Sequence, residues 1–304
     1  MKHIKDKSLK TKNIGYNSFK KGSSFNYKKR SDWYKLIRTL VYFVFVALLI
    51  SPIFIMLNTS LKTYNDVTVW PPTWFGGQLQ WSNYYDILAG DKSIVRPLIN
   101  SLIVSIVPAI VCVILGTFAA YGANRYRFKF KNYFLMIIVV TQMFAAVVLA
   151  NPMSIIFRDM GILNTHLSLI IANTAVSLPM TVWLMYSYIS SIPIDLEEAA
   201  WIDGCSRVKA VRIILMPLLA PGIITAGLFA FIVSWGDLLF ANAFIVDPDM
   251  KTIPLALTDF QSLYKTSWEL QTAASLVATL PTFFIFILIQ KHIVQGIAKT
   301  GVKG

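Results

Sequence analysis

Residues 193–221 form the sequence PIDLEEAAWIDGCSRVKAVRIILMPLLAP, a polar segment between two long apolar ones. Its first half predicts a short helix, because Asp195 can serve as the N-cap and Glu198 lies three residues later, the spacing of a capping box. Gly204 follows, and glycine readily adopts the left-handed backbone that ends many helices. Ser206 can cap a second, basic helix. The segment therefore predicts a helix, a glycine turn and another helix.

A helix, a glycine turn and a basic helix are compatible with two interpretations. One is a DNA-binding helix-turn-helix, in which a glycine turn is common. The other is an element at the membrane surface that docks a soluble protein. The apolar segments attach both ends of the unit to the bilayer, so it cannot lie freely along a DNA groove. We therefore expect a protein partner and no nucleic acid.

The composition is that of an integral membrane protein. Of the 304 residues, 56% are hydrophobic and 14% are charged, whereas soluble domains carry about 25% charged residues. The mean hydropathy is +0.59. The formal net charge of +13 could indicate nucleic-acid binding, but twelve of the 28 Lys and Arg residues lie within the first 38 positions. Such a basic segment ahead of the first apolar run is typical of a cytoplasmic tail.

Six apolar segments are long enough to cross a hydrocarbon core, which takes about 20 residues. Their approximate bounds are residues 36–57, 98–121, 133–151, 167–190, 218–239 and 272–290. With both termini inside, the four inner segments hold 22 Lys and Arg residues and the three outer loops hold six. This distribution follows the positive-inside rule. The sequence thus predicts an all-α, polytopic transmembrane bundle of six spans, in contact with membrane lipid and with both termini in the cytoplasm.

The sequence offers few residues for chemistry. Its two cysteines and three histidines are dispersed, so neither a disulfide nor a metal cluster is expected. It lacks a phosphate-binding loop of the type G-x-x-x-x-G-K. We therefore expect no metal, no cofactor bound by this chain, no ATP site of its own and no catalytic residues.

The polar loop resembles the EAA loop of permease subunits in bacterial ABC importers. The positions assigned to it are Glu198, Ala199, Ala200, Asp203, Gly204, Ile214 and Pro217. Cys205, Val211 and Met216 depart from the usual residues by apolar exchanges. In that family the loop forms coupling helices that insert into a cleft of the cytoplasmic ATPase. The resemblance implies the same ATPase-coupling role for residues 193–217.

The resemblance covers most of the chain from residue 36 onward. Residues 125–128 (RYRF) and 234–237 (SWGD) are similar to the corresponding stretches of sugar-importer permeases, although Gly236 stands where asparagine is usual. The C-terminus resembles the tail of the maltose-type subunit, which reaches toward the ATPase interface in the family. The residues that this resemblance marks as ATPase contacts are Gln295, Gly296 and Gly301.

The resemblance implies the ABC type I importer permease fold and a carbohydrate importer of the maltose or multiple-sugar type in the bacterial cytoplasmic membrane. The implied partners are a second homologous permease, two ATPase subunits that hold ATP and Mg²⁺, and an extracytoplasmic solute-binding protein. The chain then has three parts. They are a disordered basic cytoplasmic tail (1–35), a six-span permease domain (36–291) and a cytoplasmic C-terminal tail (292–304).

Two residues near the outer end of the fifth span are candidates for the substrate path. Asp237 is an acid near membrane depth, where ionisable residues are often functional, and Trp235 could stack on a sugar ring. Each residue also has a structural explanation. The carboxylate can lie at the hydrated headgroup level, and tryptophan is common at membrane interfaces.

Other functions share parts of this pattern. A secondary transporter driven by an ion gradient usually places ionisable residues near the membrane midplane, and these spans lack them apart from Asp237. A membrane enzyme needs a catalytic pair on one face, and none is visible. A permease for another small solute is the alternative to a sugar permease, because substrate choice in this family rests mainly with the binding protein.

Overall fold

The computed structural model describes residues 27–71, 79–90, 92–262 and 266–300, with the side chains of residues 33–290 among them. The helices are α1 (Tyr27–Ser60), α2 (Tyr64–Thr68), α3 (Ser82–Ala89), α4 (Val95–Arg125), α5 (Lys131–Thr141), α6 (Ala146–Asp159), α7 (His166–Ser190), α8 (Asp195–Ile202), α9 (Arg207–Ala210), α10 (Met216–Trp235), α11 (Leu239–Phe244), α12 (Ile253–Leu257) and α13 (Trp268–Thr300). A π-helical turn, Val211–Leu215, joins α9 to α10. The chain divides into two compact units, residues 1–54 and 55–304.

The first helix is longer than its predicted span. α1 covers Tyr27–Ser60, whereas the sequence predicts a span over 36–57 after a disordered tail. Residues 27–35 contain neither glycine nor proline, and Lys and Arg have good helix propensity. The helix therefore extends into the basic segment. Residues 1–26, the rest of the predicted tail, lie outside the described residues.

The third predicted span is broken into two helices in the structure. Its predicted residues, 133–151, fall on α5 and α6, which are bent by 95° at a short break. Residues 142–145 contain no glycine or proline that would predict such a break. Turn hydrogen bonds pair part of the backbone at the break, for example from Gln142 N to Val139 O at 3.1 Å. Such pairing is required at membrane depth, where water cannot replace it.

Packing of α6 explains why the chain bends there. Ala150 and Phe157 of α6 are buried in one core cluster with Phe244 of α11. The Phe157 and Phe244 rings meet edge to face, with their centroids 5.2 Å apart, a favoured aromatic geometry. This contact joins residues far apart in the sequence, so local patterning could not predict it.

The remaining spans agree with the predicted positions to within a few residues. α4, α7, α10 and the part of α13 up to Gln290 cover predicted spans two, four, five and six. In the described part of the chain, five helices are long and apolar enough to cross a membrane, or six if the bent pair of α5 and α6 counts as one span. The predicted all-α, multi-pass architecture is confirmed.

The core of the second unit lies where α4, α7 and α10 pack together. Met185 of α7 and Leu219 of α10 are buried in this cluster beside Ala120 of α4. Small residues permit the close approach of the helices. A Cβ built on Gly116 would lie 2.9 Å from Thr181 Cγ2 of α7, and one on Gly222 would lie 2.6 Å from Tyr188 Cγ. Transmembrane helices commonly pack through such small residues.

Candidate functional site

α8 begins without the capping box that the sequence predicts. Ile194 is the N-cap residue, with helical dihedrals, and its carbonyl accepts hydrogen bonds from Glu197 N and Glu198 N at 2.8 and 3.1 Å. Asp195 is therefore the first residue inside the helix, and the prediction that it serves as the N-cap is wrong. α8 has no side-chain hydrogen bond at its N-cap, but the charge of Asp195 in the first turn still complements the helix dipole.

The turn after α8 has the predicted geometry. Gly204 has a φ of +83°, which confirms the left-handed backbone. Cys205 N donates to Ala200 O at 2.9 Å and Gly204 N donates to Trp201 O at 3.1 Å, and these bonds pair carbonyls at the end of α8. A Cβ at position 204 would meet no described atom within 4 Å. The requirement for glycine is therefore conformational and does not arise from a neighbouring side chain.

The second helix starts as predicted and contacts the first. Ser206 Oγ accepts a hydrogen bond from Lys209 N at 3.4 Å, which makes Ser206 the N-cap of α9. The Arg207 guanidinium lies over the Trp201 ring, 5.0 Å from its centroid. Such a cation–π contact holds the two short helices against each other across the glycine turn.

α8 has one buried face and one exposed face. Glu197 and Ala200 are buried, whereas Glu198, Ala199 and Asp203 are exposed. The apolar side chains of Ile202 and Val208 are also open, at 86% and 80% exposure. Acidic, small and large apolar groups thus share one free surface, the composition expected of a contact surface for another protein.

Ile214 and Pro217 lie apart from this surface, in the helix that follows. Ile214 is half-buried in the π-helical turn, and Pro217 is exposed in the first turn of α10. Met216 N donates to Val211 O, five residues back, immediately before the proline that lacks an N–H group. The structure therefore brings together the predicted site residues of α8 and its turn. It places Ile214 and Pro217 at the start of the fifth span.

Sequence reasoning missed a buried ionic cluster behind α8. Arg125 Nε, at the end of α4, donates to Glu197 Oε1 at 2.7 Å, and Tyr121 Oη donates to Glu197 Oε2 at 3.0 Å. The side chains of Arg125 and Glu197 are only 10% and 1% exposed. The signal in the sequence is the spacing of Tyr121 and Arg125, which are four residues apart and so share one helix face. It does not reveal that Glu197 is their partner.

Trp235 is the last residue of α10, and Asp237 lies two positions beyond it. The two side chains have different neighbours. Asp237 Oδ1 accepts from Phe240 N at 3.1 Å, and its Oδ2 accepts from Asn173 Nδ2 at 3.2 Å. Burial raises the pKa of the Asp237 carboxyl, and these hydrogen bonds oppose the rise. The Trp235 ring stacks on Phe231, with the centroids 5.5 Å apart. These contacts give Asp237 a structural role at the start of α11.

The predicted C-terminal contacts are described only in part. Gln295 and Gly296 lie within α13, which continues to Thr300, so the segment predicted as a tail from 292 is helical over most of its length. Their side chains, and Gly301 altogether, lie outside the described residues. Within the described ranges, no group of three His, Cys, Asp or Glu side chains could hold a metal ion.

Proteins of known sequence are similar to this chain over most of its length. A 249-residue region is 34% identical to the sulfoquinovosyl glycerol transport system permease protein SmoH of Agrobacterium fabrum, covering 82% of this chain and 87% of that protein. A 241-residue region is 32% identical to the trehalose/maltose transport system permease protein MalG of Thermococcus litoralis, covering 77% and 86%.

A solved structure confirms the fold. A chain of a bacterial ABC transporter involved in the import of the acidic polysaccharide alginate superposes with a TM-score of 0.72 at 18% identity, covering 86% of this chain and 97% of that one. The sequence profile of the family described as binding-protein-dependent transport system inner membrane component matches residues 112–299. The chain belongs to this family of permease subunits.

Proposed function

We propose that this chain is a permease subunit of an ATP-driven carbohydrate importer, with α8 and its turn as the element that docks an ATPase. The observation that carries the proposal is the free surface of α8, in which Glu198, Ala199 and Ile202 face away from the bundle while Glu197 anchors the opposite face. The element lies between two apolar spans, α7 and α10. A force applied to α8 therefore acts directly on the ends of these spans.

The proposed mechanism involves no covalent chemistry in this chain. Two ATPase subunits bind ATP and Mg²⁺, and this chain binds no cofactor. Closure of the ATPase dimer displaces α8, and the spans then change the side of the membrane to which the path is open. A second permease completes the path, and a solute-binding protein delivers the substrate. Dependence on a binding protein is a property named for the family.

A carbohydrate substrate is supported by the relatives. The names of two of them refer to sulfoquinovosyl glycerol and to trehalose and maltose. The similarity extends over more than three quarters of the chain in both comparisons. A permease for another small solute is the alternative, since the described side chains include no site whose chemistry selects a sugar.

The distribution of charge supports an orientation with both termini in the cytoplasm. The exposed basic residues Arg127 and Lys129 follow α4, and Arg207 and Lys209 follow α8, so both loops belong on the inner side. This orientation places α8 in the compartment that contains ATP. It also places the segment 292–304 where it can form a second contact with the ATPases.

The test is uptake by the purified, reconstituted complex of this chain with its partner permease, ATPases and binding protein. Radiolabelled trehalose and maltose serve as probes in liposomes that contain ATP. We expect uptake that requires internal ATP and persists when ion gradients are collapsed. Uptake that continues without the ATPases and stops on collapse of an ion gradient would instead show a secondary transporter.

A further inference from the structure

The buried cluster behind α8 connects this short helix to two different spans. Both carboxylate oxygens of Glu197 are bound by α4, one by Arg125 at 2.7 Å and the other by Tyr121 at 3.0 Å. Arg125 Nη2 donates to Ile192 O, just after α7, at 3.0 Å. A single guanidinium thus joins the end of α4, the end of α7 and the buried face of α8.

A second contact reinforces this junction. Arg125 Nη1 donates to Asn124 Oδ1 at 2.9 Å, and Asn124 Nδ2 donates to Ser190 Oγ at the last residue of α7. α4 and α7 are themselves closely packed, since a Cβ on Gly116 would lie only 2.9 Å from Thr181. The ends of the two spans therefore form one rigid support for Glu197.

The other end of α8 is connected differently. Beyond Ile202 the chain turns at Gly204, whose left-handed backbone is followed by α9 and the long helix to Trp235. α8 is thus joined to α7 and α10 by the main chain and to α4 by side chains. A charge-assisted hydrogen bond is short and directional, so it transmits a displacement of the helix that carries it.

We propose that Glu197, Arg125 and Tyr121 form a clamp through which movement of α8 is transferred to α4, a proposal that rests on the docking function of α8. Glu198, the next residue, belongs to the free surface, and Glu197 acts behind it as a positioning residue. The main chain couples α8 to α7 through residues 191–194, and the clamp adds a direct connection to α4. Without it, α4 follows α8 only through its contacts with α7.

The test uses Glu197→Gln, which keeps the shape of the side chain and removes its charge. Asp195→Asn is the matched control, because Asp195 is an exposed acid in the first turn of the same helix. Amide hydrogen exchange of the chain alone in detergent is measured first. We expect exchange in residues 193–204 to rise on the order of tenfold in Glu197→Gln, because a buried guanidinium loses its charged partner. The control should exchange like the wild type, and an unchanged rate in Glu197→Gln would overturn the clamp.

The second measurement uses the full complex with ATP and vanadate, which traps the ATPases. In the wild type, we expect trapping to change the exchange of α8 and of the ends of α4 and α7, residues 117–126 and 186–192. In Glu197→Gln, the ATPases should remain bound and the change at residues 117–126 of α4 should be clearly smaller. If the variant transmits the change to α4 as the wild type does, the clamp has no coupling role. A wild-type complex that does not retain the ATPases would instead contradict the proposed function.

A conservative variant separates transmission from folding. Glu197→Asp keeps the charge but shortens the side chain by one methylene, so it cannot hold Arg125 and Tyr121 together at their present distances. On trapping, we expect the change in hydrogen exchange at the end of α4 to lie between those of the wild type and of Glu197→Gln. The melting temperature should be unchanged. Full transmission by Glu197→Asp and by Glu197→Gln would overturn the proposal even if one variant folds poorly.

Discussion

Glu197 and Glu198 are adjacent in the sequence, but Glu197 is buried against Arg125 of α4 and Glu198 is exposed on another face of α8. The difference follows from helix geometry, since successive residues of an α-helix are rotated by about 100°. One acid is therefore available to a partner protein, and the other holds the helix to the bundle. The two substitutions to Gln should consequently have different effects.

Glu198→Gln should weaken retention of the ATPases and leave the stability of the permease unchanged. Its side chain lies on the free surface of α8, so removal of its charge affects only a partner. The measurement is the amount of ATPase that copurifies with this chain, together with the melting temperature of the chain alone. A lower melting temperature with normal retention would show that Glu198 acts within the bundle.

Gly204→Val should destabilise the turn after α8, whereas Gly204→Asn should be close to the wild type. The φ of +83° costs residues with a Cβ about 1–2 kcal/mol, but asparagine adopts this region more readily. The space around the position is open among the described atoms, so bulk alone should have little effect. Hydrogen exchange of residues 200–206 and ATP-driven uptake test this. Equal behaviour of both variants would contradict a conformational requirement.

Gly116→Ala should destabilise the bundle by about 1–3 kcal/mol, because the added Cβ would lie 2.9 Å from Thr181 Cγ2. Gly122→Ala is the matched control on the same helix, since its Cβ would meet no described atom within 4 Å. Thermal unfolding in detergent compares the two. If Gly116→Ala unfolds at the same temperature as the control, α4 and α7 are not packed as closely as described.

Asp237→Ala should cost about 1 kcal/mol, because the carboxylate accepts a hydrogen bond at the start of α11 as an N-cap residue does. Asp237→Asn retains an acceptor for Phe240 N but loses the one for Asn173 Nδ2, so it should cost less than Asp237→Ala. Uptake of substrate by the reconstituted complex distinguishes a structural role of Asp237 from a role in the substrate path. Loss of uptake in Asp237→Asn at normal stability would place its charge in the substrate path.

Cysteine labelling tests the orientation. In a variant without Cys112 and Cys205, Ser82→Cys should react with an impermeant thiol reagent added to spheroplasts, and Arg127→Cys should react only after the membrane is opened. Both positions are exposed in the structure. The reverse pattern would overturn the assignment of both termini to the cytoplasm.

The amino-acid sequence by itself determined the membrane-spanning, all-α character of the chain, most of its spans and the glycine turn at residue 204. These features depend on local properties. Long apolar runs require helices because the bilayer supplies no hydrogen bonds to the backbone, and a left-handed position strongly favours glycine. The EAA pattern also located the helix, turn and helix that we propose as the docking element, because its residues lie close together in the sequence.

Only the tertiary structure decided the features that depend on distant contacts. The bend between α5 and α6 follows from the packing of Phe157 on Phe244, which lies 87 positions later in the sequence. The burial of Glu197 depends on Arg125, 72 residues earlier. The sequence shows two neighbouring acids in one helix turn, and local patterning cannot tell which of them the bundle will cover. The side chains that approach from α4 make that distinction, because a buried carboxylate needs hydrogen-bond donors or an opposite charge to replace water.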